Sequence, residues 1–383
     1  MKTPTLLNWI SLSRAALEQN VKALAGLAKK RILAPSVKAN AYGHGLPQIV
    51  SMLIPHREVE YVAVHSIEEA ITCREHGWRR KIMLLGPVHP AALDLVVECD
   101  LEPVIFDKPS LSALGKIAAK RGKKILTHLK LETGTNRQGI TEKELPAFAA
   151  IYKRYPLLKA HGASTHFANI EDTTSHEYAL YQLDLFVTLT NRMRKLGITP
   201  KLRHTASSAA MILFDKTRFD LVRPGISLYG HWPSKETYVS FLMSGGHNEL
   251  FAPVMSWKTR ITQIKDLPAG AFVGYGCTYR TTTPTRLAVL PIGYYDGYAR
   301  ALSNQAYVLV RGKRAPVRGR ICMNLIMVDI THIPGARLHD EVTLIGRDKS
   351  EAISAEQLAA WAGTINYEIL SRLSGGIPRL IEK

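Results

Sequence analysis

The chain has 383 residues, 46% of them apolar and 21% charged, with 50 lysines and arginines against 32 acids for a net charge of +18. This mixture suits a soluble globular protein with a large core, not a disordered or fibrous chain, and no apolar run approaches the roughly 18 residues of a membrane span. The first residues hold no sustained apolar leader, so a cytoplasmic location is expected by default.

In chain order, Arg14 to Lys29 is amphipathic and leads into a series of short apolar strands. These are Ile32 to Val37, Tyr61 to His65, Lys81 to Leu85, Pro103 to Phe106, Ile125 to Leu131, Ala160 to Thr165, Lys201 to His204 and Asp220 to Val222. Helical stretches such as Ile67 to His76, Leu111 to Arg121 and Tyr178 to Leu196 separate them. Such alternation predicts an α/β protein with a parallel (β/α)8 TIM-type barrel. A doubly wound open sheet gives a similar pattern, and periodicity alone does not separate the two. After about Lys235 the segments become short and rich in Val, Ile and Thr: Met255 to Ile264, Thr285 to Pro291, Tyr307 to Arg311, Met327 to Ile330 and Glu341 to Ile345. Turns of Gly, Pro and Asp divide them, which predicts a mostly antiparallel β domain with one helix, Ala355 to Ala362. The expected domains are residues 1–240, whose first few residues are free to pair with the β domain, and residues 241–383.

Cys73, Cys99, Cys277 and Cys322 form no CxxC pair, which argues against a zinc site or a disulfide framework. At least three of them are expected to be packing residues, and no metal is expected. The basic clusters at Lys29-Lys30-Arg31, Arg79-Arg80-Lys81, Lys120 to Lys124 and Arg311 to Arg320 are short and scattered. A nucleic-acid surface favours one dense basic stripe with interleaved aromatics, so a solvated basic surface is the expected reading.

The sharpest segment is Ser36-Val37-Lys38-Ala39-Asn40-Ala41-Tyr42-Gly43-His44-Gly45. Lys38 follows the first barrel strand, at the end where barrels carry their chemistry. A lysine there can bond covalently to an aldehyde if its amine is kept partly neutral. On its own it reads equally as a surface or ion-pairing residue. Further segments follow in order: His128 to Gly134 running on to Arg137, Thr165-His166-Phe167-Ala168, His204 to Ala210, and Arg223 to Gly230. Next are Gly274-Tyr275-Gly276, Gly293 to Gly297, Gly319 to Met323 and Thr364 to Glu368.

Together these segments resemble the alanine racemase family over nearly the whole chain. The resemblance implies a pyridoxal 5'-phosphate (PLP) barrel with a C-terminal β domain, acting as a homodimer that interconverts L- and D-alanine. It implies that Lys38 carries the cofactor, that Lys38 and Tyr275 are opposed bases, and that Tyr275 and Met323 come from the partner subunit. Ser208 and the amides of Gly225 and Ile226 would hold the phosphate after the last two strands, with Tyr42 and Tyr367 adding phenolic donors. Arg223 would donate to the pyridine nitrogen, since an arginine keeps its proton near neutral pH. A phenol is a poor base unless positive charge stabilises its anion, and a chain through His166, Arg223 and His204 is implied to supply that charge. Arg137 and the Met323 amide would bind the substrate carboxylate, the guanidinium being able to pair with it bidentately. Lys130 matches a lysine that carries a carbamate in many relatives, while Tyr294, Tyr367, Arg300 and Arg320 match residues of the substrate entrance. The implied biology is supply of D-alanine for a bacterial cell wall, as a peptidoglycan precursor.

The match departs at Asn324, Glu132, Thr135-Asn136 and Ser207, where the family usually has Asp, Asp, a Met-x pair and Asn. None of these removes a base or a phosphate donor. Asn324 bears on substrate preference, which leaves a serine or broad-specificity racemase as an alternative, beside a non-catalytic PLP-binding protein.

Overall fold

The computed structural model describes residues 5–246 and 249–382. They divide into two compact units, one of Ala16–Ala39 with Ile49–Ala252 and the other of the remaining described residues. Strand β1 (Asn8–Ser13) belongs to the second unit, and the next eight strands build the first. These are β2 (Ile32–Leu33), β3 (Tyr61–Val64), β4 (Lys81–Leu84), β5 (Leu101–Ile105), β6 (Ile125–Lys130), β7 (Leu158–Ser164), β8 (Leu202–His204) and β9 (Leu221–Val222).

Strands β3 to β8 pair in sequence order, all parallel, and β2 pairs in parallel with β9. Bridges from Leu33 to Val59 and from Ser36 to Ala63 join the β2 and β3 segments. The amide of Asp220 donates to Arg203 O at 3.1 Å and that of Arg223 to Ala206 O at 2.9 Å, which joins β9 to β8. The ring is therefore closed, a (β/α)8 barrel and not an open sheet. Parallel strands covered on both faces read as unbroken apolar runs, and β3 and β5 are buried throughout. Ala34, Tyr61, Ala63, Met83, Val104 and Leu221 form a cluster of the barrel core.

The helices between the strands start and stop where their chemistry requires. Ser66 and Asp107 cap Ile67–Glu75 and Lys108–Arg121 by accepting the amides of Glu69 and Ser110, and Gly122 ends the second at φ 61°. Glu177–Lys195 ends on Arg192, Arg194 and Lys195, which complement its C-terminal dipole. Several strands differ from the sequence reading: β7 begins two residues earlier, at Leu158, and the expected Met255 to Ile264 segment divides into Met255–Arg260 and Gln263–Leu267. β2 is two residues long because Pro35 has no N–H for the ladder. β5 begins two residues earlier than expected and so includes Glu102.

The second unit is built from β1 and eleven later strands: β10 (Met255–Arg260), β11 (Gln263–Leu267), β12 (Phe272–Val273), β13 (Tyr279–Arg280), β14 (Thr285–Leu290), β15 (Tyr307–Val310), β16 (Lys313–Pro316), β17 (Ile326–Asp329), β18 (Glu341–Asp348), β19 (Glu351–Ile353) and β20 (Arg379–Glu382). The main sheet runs β16-β15-β18-β10-β1-β20, with β19 beside β18, while β11-β14-β17 and the β12-β13 hairpin stand apart. β1 is antiparallel to β10 and parallel to β20, and Trp257 Nε1 donates to Asn8 Oδ1 at 2.7 Å. Two helices, not one, follow β19: Ala355–Ala362 and Asn366–Ser371, divided by Gly363 in the left-handed region at φ 69°. The cysteines also correct the sequence reading. All four are free, but only Cys73 is fully buried, Cys99 and Cys322 are half-buried and Cys277 is exposed.

Candidate active site

The sequence-selected residues fall into two groups, one on each unit. On the barrel they lie at the C-terminal ends of the parallel strands or in the loops that follow. Lys38 begins a short helical turn, Lys38–Tyr42, whose backbone is left-handed at four non-glycine residues: Ala39, Asn40, Ala41 and Tyr42 have φ between 52° and 54°. Each costs on the order of 1–2 kcal/mol relative to the right-handed region. The surroundings hold the turn. Glu69 Oε1 accepts the amide of Ala39 at 2.6 Å, Asn40 O accepts that of Gly45 at 2.9 Å, and Asn40 Oδ1 accepts that of Leu46 at 2.8 Å. Backbone strain held in place by its surroundings is a mark of a functional site. Burial, with the charge of Arg137, lowers the Lys38 amine below its ordinary range, while Glu69 opposes the shift. More neutral amine means a better nucleophile.

Lys130, at the end of β6, is pushed down to about 8, first by burial and then by Arg137 and Arg223. Its Nζ donates to Gln138 Oε1 at 3.3 Å. The loop beyond folds back on itself, with Glu132 Oε1 accepting the amides of Gly134 at 2.7 Å and Asn136 at 3.0 Å, and leaves Arg137 exposed. His166, after β7, is pushed down to about 3 by burial and by the charges of Arg223, Arg137, Lys130 and Lys38. His204 lies well below the usual histidine range, chiefly through burial and then Arg223. Both imidazoles are therefore neutral, and the positive charge of this site comes from Arg223, Arg137 and the lysines.

Burial lowers Arg223 to about 10, so it stays charged at neutral pH. Its Nη1 donates to His204 Nδ1 and, at 2.8 Å, to His204 O, and its Nη2 donates to Thr165 O at 2.9 Å. Ser208 is buried at the start of the helix Ser208–Leu213. Its Oγ accepts the amide of Gly225 at 2.9 Å and that of Ser227 at 3.4 Å. With its oxygen accepting on two sides, the hydroxyl has its own proton to offer an anion. Ile226 opens the buried turn Ile226–Tyr229 beside it. A phosphate needs donors of this kind around it, and an aldehyde needs a depressed amine, so this donor set fits PLP.

On the second unit, Tyr275, Tyr294, Arg300, Arg320, Met323 and Asn324 line one cavity of about 490 Å³. Tyr275 stands between Gly274 and Gly276, both left-handed, and is 72% exposed. A side chain on Gly276 would meet Arg320 Nη1 at 2.7 Å, and one on Gly293 would meet Cys322 O at 2.2 Å. A glycine is thus required at Gly293 for close backbone approach, while Gly276 is favoured by its left-handed backbone. The amides of Tyr294 and Tyr295 donate to Cys322 O and Met323 O at 3.1 and 3.0 Å. Tyr42 and Tyr367 adjoin each other with ring centroids 6.1 Å apart.

Sequence reasoning missed four polar residues near the barrel group. Glu69 secures the Lys38 turn, and the buried Gln182 donates to Thr133 Oγ1 at 3.3 Å and accepts the Ala168 amide at 2.9 Å. His128 and Glu102 lie behind His204. The available signal for Glu102 was an acid inside an apolar run, Leu101 to Ile105. Among the described residues no group of three His, Cys, Asp or Glu side chains is placed to hold a metal ion, and no helix is long and apolar enough to cross a membrane.

The barrel rim thus gathers a lysine whose amine is lowered by burial and donors suited to an anion, an arrangement that suits an enzyme. Residues 12–233 match the alanine racemase N-terminal domain and residues 254–381 the alanine racemase C-terminal domain. The chain is 36% identical over 379 residues to an alanine racemase of Leptospira interrogans, covering 98% of this chain and 96% of the relative. It is 38% identical over 372 residues to that of Halothermothrix orenii, covering 97% and 96%. The crystal structure of alanine racemase from a D-cycloserine-producing Streptomyces lavendulae superposes with a TM-score of 0.91 at 31% identity, covering all of this chain and 98% of the other. The Bartonella henselae alanine racemase, solved with covalently bound pyridoxal phosphate, gives 0.86 at 28%, covering 98% of this chain and all of the other. The chain belongs to the alanine racemase family.

Proposed function

We propose that the protein interconverts L- and D-alanine by two-base proton transfer at Cα, with PLP held on Lys38. The observation that carries this reading is the placement of Lys38, Lys130, His166, Arg223 and Ser208 at or just beyond the C-terminal ends of the barrel strands, with Lys38, Lys130, Arg137 and Arg223 all near enough to lower His166. When bound, pyridoxal phosphate draws electrons from Cα of the attached amino acid and so acidifies its proton. Ser208, with the amides of Gly225 and Ile226, binds the phosphate, and Tyr42 and Tyr367 add phenolic donors. Arg223 donates to the ring nitrogen through N–H groups that His204 and Thr165 leave available, and as a permanent donor it cannot hand that nitrogen a proton.

Lys38 and Tyr275 move the Cα proton on opposite faces, while Arg137 and the Met323 amide orient the carboxylate. Tyr275 and Met323 act across a homodimer. Their support is the set of exposed apolar side chains Tyr275, Met323 and Leu325 gathered around one cavity. Lys130, with a pKa of about 8, has enough neutral amine near pH 7 to take up carbon dioxide as a carbamate beside Arg137. Arg300, Arg320 and Tyr294 form the substrate entrance. The place of action is the cytoplasm, supplying D-alanine for peptidoglycan.

The test is an absorption spectrum of the purified protein followed by borohydride reduction and peptide mapping. A visible band lost on reduction, with the label on Lys38 and with racemisation of alanine in the untreated protein, is expected. Label on another lysine, or no band, would overturn the assignment.

A further inference from the structure

Behind Arg223 a row of buried polar side chains crosses the barrel. His204 Nε2 lies 2.8 Å from His128 Nδ1, and His128 Nε2 lies 2.8 Å from Glu102 Oε2. Both imidazoles are fully buried and Glu102 is 6% exposed. The two ends of the row settle where its protons sit. A guanidinium only donates, so His204 Nδ1 must be the acceptor and Nε2 must carry the hydrogen. His204 then donates to His128 Nδ1, which leaves His128 Nε2–H to donate to the carboxylate. A proton on His128 Nδ1 would confront the N–H of His204, so each ring has one permitted tautomer.

The carboxylate end is itself built. Burial acts to raise the Glu102 pKa, but the hydrogen bond donated by His128 and the nearby Lys81 ammonium pull it down, and the carboxyl lies below its ordinary value. Tyr61 Oη donates to Glu102 Oε2 at 3.1 Å, Lys81 Nζ donates to Tyr61 Oη at 3.0 Å, and His161 Nε2 lies 3.9 Å from Glu102.

We propose that Glu102 is a positioning residue for the racemase reaction, fixing the tautomers of His128 and His204 so that the Arg223 guanidinium is held in one orientation. This rests on the reading that Arg223 faces the cofactor ring. Without a fixed acceptor on His204 Nδ1, the guanidinium would lose one of its three anchors and could rotate its remaining N–H groups away from the ring nitrogen. Outer partners commonly set imidazole orientation in this manner, and a buried row of hydrogen bonds acts as a unit.

The test is nitrogen NMR of the holoenzyme labelled in histidine, with His128 and His204 assigned by His→Gln variants. Both rings are expected as Nε2–H tautomers at pH 8. A ring protonated at Nδ1, in either tautomer or as a cation, would overturn the proposal without any mutation at Glu102. In Glu102→Leu the two tautomers are expected to mix, kcat to fall about tenfold and the KM for alanine to stay within about twofold. Glu102→Gln, whose carbonyl can still accept, should keep the tautomers and at least a third of kcat. Wild-type tautomers and kcat in a folded, cofactor-loaded Glu102→Leu protein would sink the idea. The visible cofactor band separates the two failures: its absence in the wild type condemns the reading of the site, whereas wrong tautomers with the band present condemn the role of Glu102.

Discussion

Glu69 Oε1 accepts the amide of Ala39 at 2.6 Å while its Oε2 accepts the amide of His65 at 2.7 Å. One carboxylate thus ties the end of β3 to the residue after Lys38, where the left-handed run begins. Glu69→Leu removes both acceptors. The site is partly exposed, so the expected loss is about 1–2 kcal/mol, below the full value of two charge-assisted hydrogen bonds. Urea unfolding should show a lower midpoint, with Glu69→Gln in between. An unchanged midpoint in the leucine variant would mean that the turn holds itself.

His166 gives a prediction in pH. Its folded pKa of about 3 lies below the ordinary value of 6.5, so between those values the unfolded chain binds the extra proton. Stability is therefore full above about pH 6.5 and falls as the solution is acidified, by up to about 1.4 kcal/mol per pH unit from this residue. His161, His176 and His204 are lowered too and add their own slopes. His166→Gln should flatten the profile by as much as one proton without abolishing it. Urea midpoints between pH 7 and 4.5 decide the matter, and parallel profiles for the two proteins would contradict the shift.

Ser208 accepts two amides and so has its hydroxyl proton to give to a phosphate oxygen. Ser208→Ala should weaken PLP binding to the apoprotein by about tenfold, corresponding to the roughly 1–2 kcal/mol of one charge-assisted hydrogen bond. Titration followed at the visible band measures it. Equal affinity in the variant would remove Ser208 from the phosphate site.

The parts that were legible in the sequence are those whose physics is local. Eight barrel strands could be read because strands buried on both faces are continuous apolar runs, and the β module because its short Val, Ile and Thr segments sit between turn residues. Glu102 was lost because an acid within Leu101 to Ile105, followed by Pro103, argues locally against a strand; its partners His128 and Tyr61 come from other strands. The left-handed turn was equally hidden, since Ala39, Asn40, Ala41 and Tyr42 carry no strong local preference for it. Tertiary anchors such as Glu69 impose it. The neutrality of His166 and His204 could not be read either, because burial and neighbouring charge arise only once the barrel has closed.

Tyr275 stands exposed between two left-handed glycines, a placement that presents its phenol outward. As one of two bases it should be needed for proton transfer on one face only. Tyr275→Phe is expected to lower racemisation by about 10²–10⁴-fold with the cofactor band intact. In deuterium oxide the variant should still exchange the Cα hydrogen of one alanine enantiomer while exchange of the other stops. Equal slowing of both exchanges would point to a single base.

Asn324 lies in the cavity with Arg300 and Arg320, and among the described residues no carboxylate lines that space. A positive entrance favours a small substrate that presents its carboxylate and disfavours side chains ending in a cation. Asn324→Asp places a negative charge among these arginines. At about 6 Å and an effective dielectric between those of protein surface and water, one such charge is worth about 1 kcal/mol, or roughly fivefold. The ratio of kcat/KM for L-lysine to that for L-alanine should therefore rise by about that factor in the variant, and the rise should shrink with added salt. Wild-type protein should prefer alanine to serine, lysine and arginine under the same assay. A wild-type preference for lysine or arginine would show that the arginines do not control entry, and an unchanged ratio in Asn324→Asp would show that residue 324 does not feel the substrate.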